Sequence, residues 1–162
     1  MSNARVGQGF DIHRFSDDPS RSLVLGGVPF DGPGLDGHSD ADVLCHAIAD
    51  AILGAIGEAD IGHHFPNTDP ACRGMSSLEI VRRAVELARA QGGRLCNIDA
   101  SLIAEAPKIA PYLAAMKANL SVVLAIPERR VGIKATTNEK MGFLGRREGI
   151  AAMAVASVEM PE

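Results

Sequence analysis

The sequence predicts a two-layer α/β (α+β) fold, a mixed β-sheet covered on one face by helices, with a β-hairpin in the N-terminal half. Three observations carry this. Segments of strand character and segments of helical spacing follow in the order strand, strand, helix, helix, strand, helix, strand, strand. The composition, 46% hydrophobic and 22% charged, is that of an ordinary globule rather than of a disordered chain. The apolar residues are aliphatic, with five Phe, one Tyr and no Trp. At 162 residues a chain buries roughly 68–70% of its unfolded surface. No repeat or low-complexity linker divides it, so one domain spans residues 1–162.

Arg5 to Phe15 and Ser22 to Phe30 have the length and the β-branched or aromatic content of strands, with Asp17-Asp18-Pro19-Ser20 as turn material between them. They are expected to pair or to lie side by side, and Asp31-Gly32-Pro33-Gly34 marks a sharp turn after them. Ser39-Asp40-Ala41-Asp42 has the form of a helix start with Ser39 as N-cap; Leu44, Ala47, Ile48, Ala51, Ile52 and Ala55 then recur at helical spacing. A second helix begins at Ser76 or Ser77 in a capping-box pattern with Glu79, buries Leu78, Val81, Ala84, Val85 and Ala88, and ends before Gly92-Gly93. Leu95 to Ala104 alternates apolar with polar residues as a strand does. Pro111 suits the first turn of a third helix reaching about Leu120, and Val131 to Ala135 is a short strand. Ile150 to Met160 is Ala-rich enough for a helix and short enough for a strand, and periodicity leaves both open. With helices on one side only, the opposite sheet face needs a partner.

Net charge and cysteine usage exclude several functions. The formal charge is −4 and no block of Lys or Arg stands out, which argues against nucleic acid as a partner. Cys45, Cys72 and Cys96 are odd in number and contain no CxxC pair, which points to a reducing, cytoplasmic location rather than a disulfide framework or thiolate zinc. No run of about 18 apolar residues is present to span a bilayer. P-loop, G-x-S-x-G and HExxH patterns are absent, and Gly7-Gln8-Gly9 lacks the third glycine of a dinucleotide loop because position 12 is Ile12.

All five histidines fall between His13 and His64. Asp11 and His13, two apart on a strand, share a face. His46 lies on the polar side of the first helix, one turn from Asp42 and from Asp50. If that helix packs beside that strand, a carboxylate and two imidazoles converge, and three N/O ligands with an open fourth position form the pattern of a catalytic zinc. Asp50, or less favourably Asp42, would then hold the other ring nitrogen of His46. Against this, D-x-H is common by chance and a His on a polar helix side is usually only solvated. His63 and His64 are adjacent and read as loop residues. Late in the chain, Lys134 to Lys140 leaves a strand into the glycine-rich run from Met141 to Gly149. Its hydroxyls and backbone N–H groups suit phosphate oxygens, and Glu139 suits a hard divalent cation; the plainer alternative is a solvated, charged turn.

Taken together, these segments resemble the 2-C-methyl-D-erythritol 2,4-cyclodiphosphate synthase family. The resemblance runs through Gly7 to His13, Gly37 to Ala47, Asp60-Ile61-Gly62, Phe65 to Pro70, Ala106-Pro107-Lys108 and Lys134 to Gly149. It implies a lyase that converts 4-diphosphocytidyl-2-C-methyl-D-erythritol 2-phosphate into the 2,4-cyclodiphosphate and CMP in non-mevalonate isoprenoid biosynthesis. Asp11, His13 and His46 match the family's zinc ligands, one ion per subunit, and Glu139 matches the ligand of a second cation, magnesium or manganese. His38, Ser39 and Thr137 match groups that hold and polarise the reacting phosphates. Ile12, like Asp11 and His13 beside it, matches a substrate-binding position; Asp60, Ile61 and Gly62, with Phe65, Pro66, Asn67, Thr68 and Asp69, match the wall around the erythritol; Ala104, Glu105, Ala106, Pro107, Lys108, Ile109 and Ala110, with Thr136, Thr137, Asn138 and Glu139, match the cytidine and phosphate pocket. The family is a homotrimer of single-domain subunits with sites between subunits, and Phe143 and Arg146 match positions near the trimer axis, where relatives contact substrate or an isoprenoid diphosphate. Asn67 and His64 depart from the commoner Asp and Lys. Two other functions compete: a zinc hydrolase of phosphate esters, told apart by linear products, and a binder of isoprenoid diphosphates without turnover, told apart by a lack of CMP release.

Overall fold

The computed structural model describes residues 2–66 and 68–161. Six strands and three long helices carry the architecture: β1 (Ser2–Arg14), β2 (Ser22–Leu25), β3 (Val28–Pro33), α1 (Val43–Ile56), the single-turn α2 (Ile61–His64), α3 (Ser77–Ala90), β4 (Arg94–Ile103), α4 (Leu113–Leu124), β5 (Val131–Thr136), the single-turn α5 (Gly142–Gly145) and β6 (Gly149–Pro161). Strands β1, β6, β4 and β5 form one mixed sheet in that order, antiparallel except for the parallel β4–β5 pair. Helices α1, α3 and α4 lie together on one of its faces, so the two-layer expectation holds.

The Ile150 to Met160 segment is strand β6, at the sheet's interior between β1 and β4. Tertiary pairing overrides alanine's helix propensity there. Ala152, Ala154, Ala156, Val158 and Met160 are buried under the helices, while Met153 and Val155 face outward. The small inner side chains let α1 lie close. Gly7 and Gly9 of β1 have the same role more strongly, since a Cβ on either would run into the α1 backbone, at Ala51 and Ala55 or at Ala47. That close approach, not a phosphate loop, is what the Gly7-Gln8-Gly9 run serves.

Several boundaries differ from expectation. Ser22 to Phe30 is not one strand: Gly26 and Gly27, at φ 58° and 70°, turn the chain between β2 and β3, which form the N-terminal-half hairpin as a separate two-stranded sheet. Asp31-Gly32-Pro33 belongs to β3 rather than to a turn, and β1 pairs with β6, while the chain just past β1 meets the segment after the hairpin through the Phe15–Leu35 bridge and the Ser16 N to Gly34 O hydrogen bond. Helix α1 begins three residues later than Ser39 as N-cap requires, because Ala41 takes a left-handed φ of 57° and Asp42 caps instead, accepting from Cys45 N at 3.2 Å. Asp42 is fully buried and also accepts from Gly27 N at 2.7 Å, which ties the hairpin turn to the start of α1. Burial pushes its carboxyl up, with the Gly27, Gly26 and Cys45 N–H groups opposing. Ser76 precedes α3 without a side-chain cap, and His63 and His64 sit in α2 rather than in extended loop. A 3-10 turn at Ala110–Tyr112 carries Pro111 and leads into α4.

Candidate metal centre and active site

Two residues along β1 advance nearly as far as four along a helix. Gly7 meets Ala51, Gly9 meets Ala47, and one step further Asp11 meets the turn that carries His46. Asp11 and His13, on the inner face of β1, therefore converge with His46. Asp11 Oδ2 is 2.9 Å from His13 Nε2 and 3.0 Å from His46 Nδ1, and the two ring nitrogens are 3.2 Å apart. Burial would raise the Asp11 carboxyl, yet the hydrogen bonds and charges of His13 and His46 outweigh it and hold the group below the usual carboxylate range.

The donor set fits a small divalent cation. Four ligands about 2.0–2.1 Å from a tetrahedral ion stand roughly 3.3 Å apart, close to the spacings of this triad. His13 Nδ1 donates to the Asp36 carbonyl at 2.6 Å, an acceptor that can only receive, so in the neutral ring that a metal requires Nε2 is the nitrogen left with a lone pair toward Asp11 and His46. His46 is buried, and its Nε2 lies 3.1 Å from Ser39 Oγ and 3.0 Å from Ser77 Oγ. Neither expected carboxylate holds that nitrogen. Asp50 accepts from the Ile61 backbone N at 2.8 Å, where it pins α2, and Asp42 is engaged at the α1 cap. Helix α1 is also buried nearly all round, so His46 does not stand on a solvated helix face.

The triad forms the floor of a cavity of about 410 Å³, lined further by Gly37, His38, Ser39, Ile61, Gly62, Phe65, Pro66, Cys72 and Ile80. Of the expected substrate wall, Ile61, Gly62, Phe65 and Pro66 thus face the triad, as do His38 and Ser39. Asp60 caps α2 by accepting from His63 N at 3.1 Å, and Asp69 caps the 3-10 turn at Pro70–Cys72 through Ala71 N at 2.9 Å. Asp60, Thr68 and Asp69 are outside the lining, and Asn67 lies outside the described residues. Ile12 points to the opposite sheet face.

A second hollow of about 220 Å³ gathers Ala104, Glu105, Pro107, Lys108, Ile109, Ala110, Ala135, Thr136 and Thr137. It shares no lining residue with the first. Ala106 instead joins Pro107 and Arg147 at a separate hollow beside the hairpin. Glu105 accepts from Asn138 N at 2.9 Å and Lys140 N at 3.1 Å, clamping a loop in which Glu139 and Lys140 both take left-handed φ, 52° and 61°. Thr137 Oγ1 donates to Glu139 at 3.1 Å. Phe143 is exposed on α5, and Arg146 pairs with Glu148 at 2.7 Å.

Sequence inspection missed Ser77, Asp40, Cys72 and Ile80. Ser77 was visible only as a helix start; its second role depends on α3 lying over His46.

A model of the YgbB family matches residues 4–159. A 2-C-methyl-D-erythritol 2,4-cyclodiphosphate synthase from Akkermansia muciniphila is 62% identical over 160 residues, 98% of this chain and 94% of that one. The chain belongs to the YgbB family. Among solved structures, the bifunctional IspDF of Campylobacter jejuni superposes with a TM-score of 0.93 at 39% identity, covering 100% of this chain and 44% of that one. IspF of Plasmodium falciparum, in complex with CDP, gives 0.85 at 34%, covering 100% and 99%. Like its YgbB relatives, the chain is an enzyme of the lyase class.

Proposed function

We propose that this chain carries out the cyclodiphosphate synthase reaction on a cytidylyl diphosphate substrate. An oxygen of the 2-phosphate of 4-diphosphocytidyl-2-C-methyl-D-erythritol 2-phosphate forms a bond to the β-phosphorus. The bond from that phosphorus to the bridging oxygen breaks, and its electron pair leaves with CMP. The observation that carries this is the convergence of Asp11, His13 and His46 beneath an open cavity.

Asp11, His13 and His46 would hold one zinc per subunit, and Glu139 magnesium or manganese; when bound, these cations offset phosphate repulsion and polarise phosphate oxygens. The substrate supplies its own nucleophile, which agrees with the missing Ser, Cys and Lys motifs. Positioning is then the chain's main task, a contribution on the order of 7–11 kcal/mol for well-held reactants. His38 and Ser39 hold the attacking phosphate from the loop before α1. Thr137 holds the diphosphate, with Glu105 fixing the loop that carries it. Ile61, Gly62, Phe65 and Pro66 keep water from phosphorus, so that hydrolysis does not compete. Asp60, Thr68 and Asp69 are assigned to the erythritol diol, as Asn67 is by resemblance alone, and the hollow from Ala104 to Ala110 receives cytidine.

Because the two hollows share no residue, we assign them to one composite site completed by a neighbouring subunit of a homotrimer. Val6, Phe10, Ile12, Met153 and Val155 support this, being exposed on the sheet face that no helix covers. Ile12 then reaches substrate bound mainly by a neighbour. Phe143 and Arg146 are assigned to the trimer axis, with an isoprenoid diphosphate as their ligand. A cytoplasmic location is supported by three free cysteines, and among the described residues no helix is long and apolar enough to cross a membrane.

Phosphorus NMR of the purified chain with the cytidylyl substrate and magnesium, with and without a chelator, tests the proposal. Cyclic diphosphate and CMP that vanish with chelation are the expected result. Linear phosphate products would make the chain a hydrolase.

A further inference from the structure

We propose that Ser77 and Asp40 are positioning residues that aim the His46 lone pair at the metal. This rests on the assignment of Asp11, His13 and His46 as a metal site. Ser77 is fully buried and lies on the far side of the His46 ring from the triad, its Oγ 3.0 Å from Nε2. Its hydroxyl donates to the Asp40 carboxylate. Asp40 also receives the backbone N–H of Ser77 at 3.1 Å and that of Asp42 at 3.2 Å, so three donors face its carboxylate.

A hydroxyl has one proton. With that proton committed to Asp40, Ser77 Oγ presents a lone pair to His46. Ser39 Oγ completes the group, 3.1 Å from His46 Nε2 and 3.3 Å from Ser77 Oγ, while accepting from Ala41 N at 3.1 Å. Its own proton is free to go to Ser77. The proton of a neutral His46 ring then belongs on Nε2, and Nδ1, 3.0 Å from Asp11 Oδ2, is left as a donor of electrons to the ion. Asp36 does the same for His13 from the other side of the triad. A carboxylate behind a hydroxyl also makes the imidazole a stronger base toward the metal. Because Asp40 binds the first N–H of α3, the relay fastens that helix to the metal centre.

Zinc alone is the probe, with affinity read by competition with a chromophoric chelator and folding by thermal melting. Ser77→Ala and Asp40→Asn are near-isosteric. In Asp40→Asn an amide N–H can face Ser77, the hydroxyl turns its proton to Nε2, and the ring proton is driven to the metal-facing nitrogen. Each variant is expected to lose zinc affinity about 10–100-fold. The double variant is expected to be no weaker than the poorer single one, because both cut one chain of hydrogen bonds. Ala84→Gly, buried in α3 away from His46, is expected to melt earlier with zinc affinity intact. Unchanged affinity in Ser77→Ala and Asp40→Asn, with zinc bound by the natural chain and lost in His46→Ala, overturns the relay alone. Affinity that tracks melting temperature through all variants, Ala84→Gly included, also overturns it. Failure of the natural chain to bind zinc overturns the metal assignment and the relay together.

Discussion

Replacing Gly9 by alanine tests whether the contact of β1 with α1 builds the metal centre. The backbone at Gly9 is not in the left-handed region, so it would accept alanine, and the whole penalty is steric. The added Cβ would meet Ala47 O well inside the 3.0 Å that real Cβ atoms keep, and Ala51 N just inside it at 2.8 Å. Backbone of a packed helix cannot rotate away as a side chain can, so α1 must retreat by about 1 Å. Overpacking of this kind costs about 1–3 kcal/mol, and in a domain of this size each kcal/mol lowers the melting temperature by about 2–4 °C. The metal site suffers more. His46 adjoins Ala47 on α1 while Asp11 and His13 stay on β1, and metal–ligand distances hold to within about 0.2 Å of their ideal values. Gly9→Ala should therefore lose zinc affinity by far more than its stability loss implies, read by chelator competition on protein shown to be folded at the assay temperature. Wild-type zinc affinity together with an unchanged melting curve would refute the close-approach argument.

Other outcomes follow from the same geometry. His46→Ala should lose zinc and cyclisation together while remaining folded, as metal analysis and circular dichroism will show; full zinc content would remove His46 from the ligand set. Glu139→Gln is expected to keep zinc but need far more magnesium, and Glu105→Ala, by releasing Asn138 N and Lys140 N, should shift the magnesium dependence in the same direction by less. In the metal-free chain burial lowers the His13 pKa, but the hydrogen bond and charge of Asp11 and the Asp36 carbonyl raise it above 6.5 overall. That stabilisation is complete below pH 6.5 and is lost as pH rises through the folded value, whereas zinc needs the neutral ring. Zinc affinity should therefore begin to fall with decreasing pH while still above 6.5, and a flat titration through that point would contradict it.

How much could be read without the structure differs by residue. Asp11 and His13 were legible because a strand places alternate residues on one face, a rule that needs no tertiary information. His46 was legible by type, but its surroundings were not: the polar residues one turn away along α1, Asp42 and Asp50, bond to Gly27, Cys45 and Ile61, and the groups behind the ring come from Ser39 and from α3. The α1 boundary shifted because Ala41 adopts a conformation that alanine rarely takes, its own side chain fully buried beside the buried Asp42 cap. Segment 150–160 was undecided because alanine is both a good helix former and the side chain small enough to sit under α1. The Gly7-Gln8-Gly9 run was correctly set apart from nucleotide loops, yet its purpose appears only once α1 is laid across it.

The most direct measurement is anomalous diffraction at the zinc edge from crystals of the zinc-loaded chain. One peak per subunit is expected, about 2.0–2.2 Å from Asp11 Oδ2, His13 Nε2 and His46 Nδ1. A peak bound by a cysteine sulfur, or one that leaves any of these three atoms beyond bonding distance, would contradict it.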